Sequence, residues 1–72
     1  MSWNDRGRLR AAINKTLMEA IALENTTNEY RSKGAAYGET EESWKAKENF
    51  VTKVFEVRAT LQRLMIDLEK IP

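Results

Sequence analysis

Apolar residues recur in a heptad pattern through the second half of the chain, from Trp44 to Ile71. Two lines of this pattern are apolar, and they alternate at spacings of three and four residues. They are Val54, Leu61 and Leu68 on one line, and Phe50, Val57, Leu64 and Ile71 on the other. Such spacing keeps an apolar seam on one side of an α-helix. The pattern therefore predicts a helix over about residues 40–70, with Thr40 as its N-cap, whose seam packs against another helix.

The first half of the chain has a softer helical pattern, which predicts a helix over about residues 3–33. At about 100° per residue, one broad face of this helix carries eight residues. They are Leu9, Ala12, Ile13, Thr16, Ala20, Leu23, Thr27 and Tyr30. Small side chains such as Ala and Thr let two helices approach closely. This face is therefore expected to pack against the bulkier seam of the second helix.

A segment that contains two glycines separates the two helical patterns. Gly34 is a favourable residue just beyond a helix end, and Gly38 is typical of a turn. Residues 34–39 are therefore predicted to form a short connection, which forces the two helices to run antiparallel. The whole chain, residues 1–72, is expected to be one all-α domain, an antiparallel two-helix hairpin of the coiled-coil type.

The second helix also carries an additional apolar stripe, at roughly 120° from its heptad seam. This stripe consists of Trp44, Val51, Phe55 and Ile66. On a lone hairpin it would leave a larger apolar patch than monomers usually tolerate. It is therefore predicted to mediate self-association of two hairpins into a homodimeric four-helix bundle. The alternatives are a helix from another protein on the stripe, or a monomer that keeps it partly exposed for a target.

The composition excludes several kinds of chemistry. The 72 residues include no Cys and no His, so disulfides, thiolate nucleophiles, histidine bases and ordinary zinc sites are ruled out. No nucleophile or phosphate-loop motif is present either. We therefore expect no enzyme activity, cofactor, metal or small-molecule substrate. Because the net charge is only +1 and no apolar run could span a bilayer, we expect a cytoplasmic protein without membrane contact.

The first helix offers a candidate surface for a protein partner. It consists of Trp3, Arg6, Arg10, Leu17 and Ile21. Aromatic and Arg side chains contribute most of the binding energy in many protein interfaces. This side of the helix is therefore predicted to bind another protein. The alternative is that Trp3 and Trp44 cap the two ends of a bundle core.

The same region contains a basic cluster without any acidic residue. Its members are Arg6, Arg8, Arg10 and Lys15. On a helix, Arg6 and Arg10 point one way, whereas Arg8 and Lys15 point nearly the opposite way. The cluster could bind RNA or DNA phosphates if symmetry-related copies in a bundle joined their charges. The alternative is a solvated basic turn.

These patterns favour one function and leave two alternatives open. The favoured function is a non-enzymatic helical protein that self-associates and binds another protein, as a regulator or inhibitor of bacterial or phage type. The first alternative is a four-helix bundle that binds RNA or DNA, and the second is a structural subunit of a larger assembly. Phosphate binding would fall steeply with salt, whereas an apolar protein interface would persist.

Overall fold

Two α-helices make up the described fold. A computed structural model of the chain describes residues 2–32 and 40–72. Helix α1 spans Trp3–Ser32 and helix α2 spans Glu41–Glu69, and the described residues contain no strand. The predicted all-α class is confirmed. The predicted connection over residues 34–39, with its two glycines, lies outside the described residues.

Both helices begin at a capping side chain. Ser2 Oγ accepts a hydrogen bond from the backbone N–H of Asp5 at 3.1 Å. Thr40 has an extended backbone, with φ −81° and ψ 158°, and its hydroxyl accepts from the N–H of Ser43 at 3.1 Å. These bonds satisfy amides that the first turn of a helix leaves without a partner. The predicted N-cap at Thr40 is confirmed.

Replacing Thr40 by Ala is expected to destabilise the protein by about 1 kcal/mol, because the Ser43 amide would lose its acceptor. Thr40→Ser is the matched control, since it keeps the hydroxyl and should stay within a few tenths of a kcal/mol of the natural chain. Urea unfolding followed by far-UV circular dichroism measures both free energies. Equal free energies of unfolding for the two variants would contradict a stabilising cap.

The two helices run antiparallel along their length. At one end, the Arg10 guanidinium pairs with the Glu69 carboxylate. At the other end, Arg31 Nε lies 3.2 Å from Glu48 Oε1. Both pairs follow one register, in which the residue numbers on the two helices add up to 79. The predicted two-helix hairpin is therefore confirmed.

The seam between the helices is narrow. Its buried side chains are Ala20, Glu24 and Thr27 on α1, and Val51, Val54 and Leu68 on α2. Half-buried apolar side chains extend it, namely Ile13, Leu17 and Ile21 on α1, and Phe55, Leu61 and Met65 on α2. The radius of gyration is 16.9 Å, whereas a compact domain of this length would have about 11 Å. A rod of this shape encloses little, so much apolar surface lies outside the seam.

The seam uses only one of the two apolar lines predicted for α2. The line that it uses is Val54, Leu61 and Leu68. The line predicted beside it is exposed, and consists of Phe50, Val57, Leu64 and Ile71. Val51, only 3% exposed, and half-buried Met65 take its place, on a line that also includes Arg58. Both candidate lines flank the Val54 line at heptad spacing, so periodicity alone does not distinguish them. The charge of Arg58 makes the correct line look polar.

Helix α1 turns its predicted face only partly towards α2. Of that face, Ala20 and Thr27 are buried and Ile13 is half-buried. The other five members are exposed, namely Leu9, Ala12, Thr16, Leu23 and Tyr30. For these five, the predicted burial against α2 is wrong, although the Tyr30 ring still contacts Lys47 of α2. The helix is rotated so that Leu17 and Glu24 also turn towards α2, where the Glu24 carboxylate meets Arg58.

Candidate functional site

The exposed apolar side chains form a face along one side of the hairpin. On each half of the chain they recur every seven residues. This apolar face consists of Leu9, Thr16, Leu23 and Tyr30 on α1, with Phe50, Val57 and Leu64 on α2 and Ile71 just beyond it. Apart from Thr16, every member is a large apolar residue with 39–54% of its surface exposed. Exposed apolar residues scattered singly are ordinary, whereas a continuous row of them indicates an interaction site.

The two lines of the apolar face lie on the same side of the hairpin. Leu23, Tyr30 and Phe50 line one groove between the helices, together with Lys47. The register of the ion pairs places the eight members in four level pairs along the rod. These are Leu9 with Ile71, Thr16 with Leu64, Leu23 with Val57, and Tyr30 with Phe50. The face therefore runs for roughly 30 Å, at about 1.5 Å per residue, along a molecule that is 56 Å long.

A cation holds the aromatic end of the apolar face. The Lys47 ammonium lies 5.3 Å from the centroid of the Tyr30 ring. A contact of this kind is worth about 0.5–1 kcal/mol at an exposed site. Lys47 lies one heptad before Val54, where an apolar residue would otherwise continue the seam. Here its ammonium lies over the Tyr30 ring, in the groove that Phe50 also lines.

A buried carboxylate lies in the seam between the two helices. Glu24 is 4% exposed, and its Oε2 lies 2.9 Å from Nε of Arg58, whose side chain is partly exposed. A buried carboxylate is costly unless it is paired, so this contact favours the rotation that turns Arg58 towards α1. The same rotation leaves the Phe50 line outside the seam. Sequence reasoning missed Glu24, although its spacing from Ala20 and Thr27 places all three on one side of α1.

The residues predicted to mediate self-association lie on one side of α2 but are not equally exposed. Val51 is buried and Phe55 is half-buried against α1. The prediction that a lone hairpin leaves this stripe exposed is therefore wrong for Val51 and only partly right for Phe55. Trp44 and Ile66 are exposed. Ile66 lies about 200° around α2 from Leu64, two residues away, and so it points away from the apolar face.

The residues predicted to bind a protein partner lie on the side of α1 that faces α2. Arg10 pairs with Glu69, and Arg6 donates a hydrogen bond to the backbone carbonyl of Ile71. The two aliphatic residues of this predicted surface, Leu17 and Ile21, are half-buried. Trp3 remains exposed at the start of the helix. Most of this predicted surface therefore contacts α2.

The basic cluster is divided between two environments. Arg6 and Arg10 are engaged by the end of α2, as described above. Arg8 and Lys15 are exposed on the other side of α1, and neither forms an ion pair within the described part of the chain. The predicted opposite directions of the two sets are thus seen in the structure. A phosphate-binding surface needs its cations on one side, and one hairpin presents only two of the four.

Residues 2–32 and 40–72 contain neither a metal-binding cluster nor a membrane-spanning helix. In this part of the chain no three carboxylates come together as ligands for a metal ion. Neither α1 nor α2 combines the length and the apolar character that a bilayer-crossing helix requires. Comparison of the chain with protein-family models, curated proteins and solved structures finds no match. The apolar face is therefore the feature from which a function can be argued.

Proposed function

We propose that this protein is a non-enzymatic interaction protein that self-associates through its apolar face, forming a homodimeric four-helix bundle. The observation that carries the proposal is the row of seven large apolar side chains left outside the seam. Stacking two hairpins through these rows gives each helix two neighbours, as in other four-helix bundles. The surface that self-associates differs from the Trp44 stripe, because Val51 of that stripe is already buried.

The size of the apolar face supports a stable interface. At 39–54% exposure, seven side chains of about 100–200 Å² each, the aromatic ones being the largest, present roughly 300–600 Å². The largest apolar patch on a typical monomer is about 300–600 Å², whereas a stable complex buries about 800 Å² on each partner. An interface of that size would also include the polar side chains at the edges of the face.

We also propose that the bundle binds another macromolecule, and that this partner is a protein. Trp3 and Met18 are the most exposed large apolar side chains of the described residues, at 83% and 62%. Neither belongs to the apolar face, so both would stay on the surface of the bundle. Exposed aromatic and Met side chains are enriched where proteins bind partners.

The test compares two charge substitutions on the same helix. Leu64→Lys places a charge on the apolar face, and we expect it to weaken self-association by at least about 100-fold, because a charge would be desolvated in the interface. Ile66→Lys is the matched control, since Ile66 is at least as exposed but points away from the face. Sedimentation equilibrium of the full chain over a range of concentrations measures the dissociation constant of each variant.

The proposal predicts that the natural chain and Ile66→Lys sediment with twice the chain mass of 8.3 kDa, and that Leu64→Lys sediments with one chain mass. Far-UV circular dichroism at each concentration shows whether Leu64→Lys keeps its helices after dissociation. A natural chain that stays at one chain mass at high micromolar concentration would overturn the proposal. Dissociation by Ile66→Lys but not by Leu64→Lys would place the interface on the other side of α2.

A further inference from the structure

The apolar face carries its bulk unevenly along its length. Tyr30 and Phe50 supply two aromatic rings at one end, whereas Leu9 and Ile71 supply two aliphatic side chains at the other. From Leu9 to Tyr30 the face is roughly 30 Å long, at about 1.5 Å per residue. Thr16, its smallest member, lies between the ends. Any partner that covers the whole face has to match this gradient in bulk.

We infer that the partner is a second copy of the chain, docked with the two hairpins antiparallel. This orientation rests on the proposed self-association and specifies how the two copies meet. The aromatic pair Tyr30 and Phe50 of each copy covers the aliphatic pair Leu9 and Ile71 of the other. Large side chains then oppose smaller ones at both ends, which fills the core of a helical bundle evenly.

The parallel orientation would pack the same side chains less evenly. It would place two copies of Tyr30 and two of Phe50 in one layer of the core, and two copies of Thr16 in another. The aromatic layer would push the four helices apart, and the Thr16 layer would leave a cavity. Overpacked layers and cavities both destabilise a core. The distribution of bulk along the face therefore favours the antiparallel orientation.

Charges at the edge of the apolar face agree with this orientation. Antiparallel docking sets α2 beside α2 of the second copy, around a two-fold axis near Thr60, the midpoint of the face on α2. Lys53 and Asp67 lie one heptad on either side of Thr60. Each Lys53 therefore comes level with Asp67 of the second copy. Parallel docking would instead set α2 beside α1 of the second copy. Lys53 would then come level with Thr26 of that copy, and Asp67 with Ala12, so neither charge would meet an opposite one.

The same two-fold axis passes close to Glu19, the corresponding midpoint on α1. Glu19 is exposed at the edge of the apolar face, so the two carboxylates can separate into solvent, where repulsion between like charges is weak. In the antiparallel dimer Glu19 lies next to Glu19 of the second copy, and Thr60 lies next to Thr60. In a parallel dimer Glu19 would lie next to Thr60 instead. These neighbours distinguish the two orientations.

Single cysteines test the orientation, because the natural chain has none. Glu19→Cys and Thr60→Cys are prepared separately, together with the double variant and an Ala22→Cys control on the far side of α1. A disulfide needs Cβ atoms about 3.5–4.5 Å apart, so only neighbouring positions cross-link. The full-length variants are oxidised mildly at a concentration where sedimentation equilibrium gives the mass of a dimer. Products are then separated by non-reducing electrophoresis.

We expect Glu19→Cys alone and Thr60→Cys alone each to double in mass for most of the chains, and Ala22→Cys to remain single. Dimers that cross-link only in the double variant, between positions 19 and 60, would overturn the antiparallel orientation and leave the proposed self-association intact. Dimers in which neither position cross-links would also overturn it. A natural chain that sediments as a monomer would instead overturn the proposed self-association itself, and no dimer orientation could then be tested.

Discussion

Val54→Asp is expected to remove a large part of the stability of the folded state. Val54 is 6% exposed and lies in the seam next to Val51, so the new carboxylate would be buried without a partner. Loss of the apolar contact and burial of the charge together amount to about 4 kcal/mol or more. A chain of this length has a total stability of roughly 4–11 kcal/mol. A loss of this size is about a third or more of that stability, so urea unfolding followed by far-UV circular dichroism should show a free energy of unfolding lower by about 4 kcal/mol.

Thr52→Asp is the matched control for this substitution. Thr52 lies two residues away on the same helix and is exposed. The substitution Thr52→Asp therefore adds the same charge, with the helix propensity of the same new residue, but does not bury the carboxylate. Its free energy of unfolding should stay within about 0.5–1 kcal/mol of the natural value. Similar melting curves for Val54→Asp and Thr52→Asp would remove Val54 from the core. Val54→Ala should fall between the two, because it leaves a cavity but buries no charge.

The helical architecture follows from the sequence because its signals are local. Seven-residue spacing of apolar residues, the hydroxyl of Thr40, and Glu41 and Glu42 in the first turn of α2 each act within a few residues. Such signals specify a helix and its start without reference to a partner. The antiparallel pairing follows as well, since a short connection allows little else.

The rotation of the helices could not be read in the same way. Phe50 and Val51 begin two lines that flank the Val54 line equally well, and the more apolar line is the exposed one. The deciding contact joins Glu24 to Arg58, which are far apart in the sequence. Long-range pairing of this kind leaves no periodic signal. The sequence therefore predicted the Trp44 stripe as the candidate site, whereas the packing of the two helices exposes the apolar face.

Breaking the contact between Glu24 and Arg58 is expected to have the largest effect of any ion pair in the described residues. Arg58→Ala leaves the buried Glu24 carboxylate without its partner. We expect the free energy of unfolding to fall by about 2 kcal/mol. This is less than the loss for a fully buried ion pair, because Arg58 is partly solvated. A double-mutant cycle with Glu24→Ala should give a coupling of about 1–2 kcal/mol. Urea unfolding supplies all four free energies.

The control cycle uses Glu41 and Lys45, which lie 3.2 Å apart in α2 with both side chains exposed. Their coupling is expected to be only about 0.3–0.5 kcal/mol, as for other exposed pairs one helical turn apart. Equal couplings in the two cycles would show that the buried position of Glu24 adds nothing. That result would contradict a role for Glu24 in setting the rotation of the helices.

Replacing the pair by Glu24→Leu and Arg58→Leu separates stability from orientation. We expect the urea concentration at the unfolding midpoint of the double variant to be at least as high as that of the natural chain. Apolar replacements of buried ion pairs are often neutral or stabilising. The Val51 line would then be apolar throughout, so the Val51 and Phe50 lines would offer α1 two seams of similar energy. Doubled or broadened amide signals in NMR spectra would report both rotations. A single sharp set of signals would show that side-chain packing alone selects the seam, and that Glu24 and Arg58 do not orient the apolar face.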